Sequence, residues 1–157
     1  MMTFKRILVP LDGSSLAERA VPAASALARK FDSQIILLRV LDIPTPTGPT
    51  SHPEVTMGWV REARQQAHEE ARSYLEAMEK KLCDEGIETR VLLRDRSPAG
   101  DILDVAGEEG VDLIVISSHG EGGLAPWAFG SVAEKVTHHS PCPVLLVRQE
   151  MTTAAEK

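Results

Sequence analysis

Residues 111–139 read VDLIVISSHGEGGLAPWAFGSVAEKVTHH, and the order of residue types in this stretch decides the fold. VDLIVIS (111–117) is a short apolar run rich in β-branched residues, the pattern of a strand buried on both faces. A loop with glycine at 120, 122, 123 and 130 follows, and Ser131 then opens a helical pattern to His139. A buried strand, a glycine loop and a helix in that order are the elements of a parallel α/β sheet.

Working outward, the same alternation holds across the chain. On the C-terminal side PVLLV (143–147) reads as a further strand. On the N-terminal side Ser97-Pro98 supplies an N-cap and first helical position for a helix to about residue 109. Before it come a strand at 88–94 (ETRVLLR) and a long helix over about 59–85. That helix carries Val60, Ala63, Ala67, Ala71, Leu75, Met78 and Leu82 on one face, and Gly86 is placed to stop it. Pro44, Pro46, Gly48, Pro49 and Pro53 mark an irregular loop, preceded by a strand at 34–41 (QIILLRVL). The first strand is FKRILVP (4–10). Ser15 and Glu18 have capping-box spacing for a helix to Phe31, within which Pro22 should bend or shorten the helix.

Five strands alternating with four helices predict one doubly wound parallel sheet with right-handed crossovers. The expected domain spans residues 1–149, and residues 150–157 read as a flexible C-terminal tail.

Composition narrows the function. The 157 residues are 43% hydrophobic and 25% charged, with 4% aromatics and a net charge of -6. No basic stripe appears, and few rings are present to stack bases, which argues against nucleic acid. No apolar run approaches the roughly 18 residues of a membrane span. The start passes directly into strand-like sequence without an apolar leader. Cys83 and Cys142 stand far apart, so neither a disulfide framework nor a zinc site is expected, and the reducing cytoplasm is the expected compartment.

Two strand ends carry unusual residues. The first strand runs into Pro10-Leu11-Asp12-Gly13-Ser14-Ser15, and the fourth into Ser117-Ser118-His119-Gly120-Glu121. Glycines at a strand-to-helix junction let backbone N–H groups approach phosphate oxygens, and a helix start adds unpaired donors and a favourable dipole. Ser131 can add a hydroxyl, and His119 can donate to a phosphate or cap the loop. Asp12 would repel phosphates, so it is expected to face a ribose hydroxyl or a base edge. In open α/β sheets the ligand lies where strand order reverses. If both ends line one site, strands 1 and 4 are neighbours and the order is 3-2-1-4-5.

These residues resemble those of the universal stress protein family. The resemblance rests on Ile7 to Ser14 (ILVPLDGS), on SSHGEGGLAPWAFGSVAEKV from Ser117, and on SPCPVLLVR ending at Arg148. The family's ATP-binding members carry Gly-x2-Gly-x9-Gly-Ser/Thr. Gly120, Gly130 and Ser131 match it, while Ser117 stands at the first glycine and Glu121 lies inside the loop.

The resemblance implies an adenine pocket at the first two strand ends, including Pro10 and Leu11. Asp12 would hold the nucleoside and the backbone of Val40 would read the adenine edge. Gly120, Gly130, Ser131 and the amide of Val132 would hold the phosphates of ATP, ADP or AMP, with Mg2+ carried through those phosphates. It also implies a homodimer joined through strand 5, whose apolar edge invites pairing.

No Gly-Lys-Ser/Thr occurs, and no nucleophile–base pair is apparent in the sequence. Binding without efficient turnover is therefore the expected activity. A slow ATPase or adenylate-transferring enzyme and a nucleotide-free interaction module are the alternatives. A flavodoxin would need its glycine loop after strand 1, and a response regulator would need a lysine where Arg148 stands. His138 and His139 close the last helix, Cys142 reads as a small core residue, and Trp127 covers or anchors the loop.

Overall fold

The computed structural model describes residues 1–43, 48–49, 51–119 and 130–148. Five strands, β1 (Arg6–Leu11), β2 (Gln34–Val40), β3 (Thr89–Arg94), β4 (Leu113–Ser117) and β5 (Val144–Val147), form one sheet. Every pairing is parallel and the order is β3-β2-β1-β4-β5, as expected from the shared strand ends.

Alternate residues of the central strands feed two cores. Ile7, Val9, Ile35, Leu37 and Val115 face one side. There they pack on α1 (Ser15–Glu18), α2 (Ala20–Phe31) and the C-terminal half of α3 (Pro53–Asp84). Leu8, Ile36, Leu38, Ile114 and Ile116 face α4 (Pro98–Glu108) and α5 (Ser131–His139) on the other side. With both faces covered, the continuous apolar runs follow directly.

Three local expectations change. The single helix expected over 15–31 is two. Pro22 has no N–H to give the carbonyl of Glu18, and its ring would crowd that carbonyl. The helix accordingly ends at Glu18 and restarts at Ala20, which places Pro22 in a first turn. The cap is Ser14, one residue earlier than expected: its Oγ accepts from the N–H of Ala17 at 3.1 Å. Glu18 does not reach back to complete a capping box, because its carboxylate accepts instead from the Tyr74 hydroxyl at 2.5 Å.

The long helix starts at Pro53, six residues before the expected Trp59, with proline's fixed φ suited to a first helical position. Its 32 residues span about 48 Å, against about 20 Å for a six-residue strand. Only Ala71, Leu75 and Leu82 are fully buried. The expected stripe continues N-terminally past the sheet edge, where Ala63 and Trp59 are exposed. Gly86 ends α3 as predicted. Its φ is +84°, and the N–H groups of Gly86 and Ile87 donate to the carbonyls of Cys83 and Leu82.

Candidate functional site

The site begins with a divergence of strands. β1 and β4 pair only at Ile7↔Leu113 and Leu8↔Ile114, although β4 continues to Ser117. Arg6 turns its carbonyl toward β4, where Asp112 donates to it at 2.9 Å. By strand alternation Leu8 and Pro10 face the same way. Pro10, which lacks an N–H, therefore falls where the two strands have separated and no ladder donor is needed.

A cleft of about 400 Å³ opens at this point, beyond the carboxyl ends of the strands. Pro10, Leu11 and Asp12 line it from β1 and the following turn, and Val40 from β2. Ser117 and His119 close it at the end of β4, and Gly130, Ser131 and Val132 at the start of α5. These are nine of the ten residues predicted for the site. The tenth, Gly120, lies outside the described residues, as do Glu121, Trp127 and the tail at 150–157.

Each wall has a local cause. Asp12 Oδ1 accepts from the N–H of Ser14 at 2.8 Å, folding the chain around Gly13 at φ +86°. On the opposite wall Gly130 caps α5 in extended conformation with no side-chain cap. The first intrahelical bond runs from Glu134 N–H to the Gly130 carbonyl. The N–H groups of Ser131, Val132 and Ala133 precede it and need acceptors from outside the helix. An anion at that end is favoured by these donors and by the helix dipole.

Ser117 spends its hydroxyl locally, donating to the carbonyl of His119 at 2.9 Å. Ser118 Oγ lies 2.9 Å from His119 Nδ1, a serine–histidine contact that the sequence reading did not anticipate. Ser118 is only 1% exposed and His119 3%, and both line the cleft floor at the end of β4. His138 and His139 occupy the exposed last turn of α5. Cys142 is half-buried against the second core, and burial pushes its thiol up from the usual range.

Arg39 and Asp42 also line the cleft, and neither was expected. Arg39 had a visible signal, as the one charged residue in QIILLRVL. Asp95, which follows the end of β3, is engaged by α3: Arg64 donates to its Oδ2 and His68 Nε2 lies 3.1 Å away. The Arg64 hydrogen bond holds the Asp95 carboxyl below the usual range.

A family model described as the universal stress protein family matches residues 3–148. The chain belongs to this family. It is 34% identical over 147 residues to universal stress protein YxiE of Bacillus subtilis, covering 92% of this chain and 99% of that protein. It is 30% identical over 156 residues to universal stress protein MJ0577 of Methanocaldococcus jannaschii. The solved structure of MJ0577 superposes with a TM-score of 0.82 at 31% identity, covering 97% of this chain and all of that one. A universal stress protein from Archaeoglobus fulgidus solved in complex with dAMP shares the fold, with a TM-score of 0.61 at 22% identity and 94% of this chain covered.

Among the described residues no helix is long and apolar enough to cross a membrane, and no three His, Cys, Asp or Glu side chains cluster to hold a metal.

Proposed function

We propose that this universal stress protein binds an adenine nucleotide, ATP, ADP or AMP, and acts as a stress-response regulator in the cytoplasm rather than as an efficient enzyme. One observation carries the reading. The cleft where β1 and β4 diverge has the Asp12 carboxylate on one wall and the start of α5, with glycine as its N-cap residue, on the other. Asp12 suits a ribose or base edge, and the amides of Ser131 and Val132 suit phosphates. Val40 at the end of β2 supplies the adenine wall through its backbone. Pro10, Leu11, Ser117, His119 and Gly130 complete the enclosure, with Gly120 expected in the phosphate loop.

Turnover lacks support because Arg39, the cation among the described cleft residues, enters from β2. One strand, β1, lies between it and β4 with the α5 phosphate wall. Any Mg2+ would be held mainly through phosphate oxygens. A dimer through β5 follows from its edge position and from Leu145, which is 39% exposed.

Mass spectrometry of what the native protein releases on denaturation tests the ligand, with saturable ATP binding as the second readout. An adenine nucleotide is expected. Neither bound nucleotide nor saturable binding would leave an interaction module in its place. Light scattering tests association, and a monomer at micromolar concentration would contradict the dimer.

A further inference from the structure

Arg39 is placed in a closed ring of contacts around the Asp12 turn. It pairs in register with Leu11, the residue before Asp12. Its guanidinium lies close against Gly13: a Cβ built there would stand 2.5 Å from Nη1, 3.1 Å from Cζ and 3.2 Å from Nη2. The guanidinium also sits over the Tyr74 ring, with Cζ 5.5 Å from the centroid. Tyr74 donates its hydroxyl to Glu18 Oε1 at 2.5 Å. Glu18 ends the short helix that Ser14 caps, and the Ser14 N–H is the donor to Asp12. The ring thus runs from the Asp12 turn through α1, Tyr74 of α3 and Arg39 of β2, and back to Gly13.

We propose that Arg39 is a positioning residue for Asp12, clamping the Asp12–Gly13–Ser14 turn so that the carboxylate is held at the nucleoside end of the cleft. This rests on the reading that Asp12 contacts a nucleoside. A planar guanidinium can stack on a ring with one face and support a backbone turn with the rest of the fork. A lysine ammonium on its flexible stem cannot do both. The strand geometry also sets what Arg39 does not do. Its place on β2 puts it at the nucleoside side, so it acts through the turn and not on the phosphates.

The test is a double-mutant cycle on the full chain, titrating ATP, adenosine and tripolyphosphate. Arg39→Ala is expected to weaken ATP and adenosine by the same factor, about five- to twentyfold, since contacting residues couple on that scale. Tripolyphosphate binding should not change, and Arg39→Lys should rescue little. In an Asp12→Ala background, Arg39→Ala should have almost no further effect. Tyr74→Phe keeps the ring and removes only the bond to Glu18. It should give a smaller loss, again absent without Asp12, and it serves where Arg39→Ala is too unstable to titrate. Additive losses, or weakened ATP with unchanged adenosine, would overturn the proposal while leaving nucleotide binding intact. Wild-type protein that binds neither ATP nor adenosine would remove the underlying reading and the proposal with it.

Discussion

The backbone N–H of Gly130 donates to the carbonyl of Ser118 at 2.8 Å. This bond ties the start of α5 to the end of β4 and brings the two margins of the glycine loop together. Gly130 has φ -63° and ψ 146°, a conformation open to any residue, so substitution there need not strain the backbone.

Gly130→Asp should therefore separate folding from binding. Aspartate is a good N-cap and suits the dipole, so the melting temperature should hold or rise. A carboxylate beside the phosphate wall should weaken ATP by at least about tenfold through like-charge repulsion. Unchanged ATP affinity in a calorimetric titration would count against the assignment of this wall.

Gly13 and Gly86 both have positive φ, +86° and +84°, and only Gly13 has a neighbour where a Cβ would go. Each change to alanine should cost about 1–2 kcal/mol of stability for the left-handed backbone. Gly13→Ala must also displace the Arg39 guanidinium, so it alone should lower nucleotide affinity. Denaturant melts and ATP titrations on the two variants check the contrast.

Tyr74 is the single tyrosine in the chain, so its titration can be followed without ambiguity. Burial, with help from the Glu18 hydrogen bond, raises its hydroxyl well above the ordinary phenol range. Below about pH 10 both folded and unfolded chains keep the proton, and the contribution to stability is whole. Above it the unfolded chain ionises first, and stability falls as pH rises toward the folded value. Phenolate absorbance should appear only at higher pH in the native protein than in denatured chain. A native midpoint near pH 10 would refute this.

The two thiols should differ in reactivity. Cys83 is exposed, while burial raises the Cys142 thiol and lowers its thiolate fraction. Limited alkylation at pH 8 followed by peptide mapping should label Cys83 first. Equal labelling would indicate that residues 140–142 open readily.

Much of this was legible in the chain because the decisive features are local. Strand ends with polar and glycine residues announce themselves, and requiring two of them to share a site set the sheet order. Helix limits were less legible. Pro22 indicated a bent or shortened helix, not that the helix would end at Glu18 and restart at Ala20. Ser14 and Ser15 are equivalent as letters, and the Asp12 turn chooses between them. The stripe on α3 has uniform periodicity, yet strand length decides how much of it is covered. Arg39 stayed hidden because its partners, Gly13 and Tyr74, come from distant parts of the sequence.

Placing the first strand at the centre of the sheet has a consequence for biosynthesis. β1, β2 and β3 can associate as soon as they leave the ribosome, but one side of β1 must wait for residues 112–117. Asp112 then closes the gap, its carboxylate accepting from the N–H groups of Lys5 and Arg6 at 2.8 and 2.9 Å. Asp12 and Val40 belong to the early half, and Ser117, Gly130 and Ser131 to the late one. A nascent or truncated chain therefore carries only one wall of the cleft, and the complete cleft belongs to finished molecules alone.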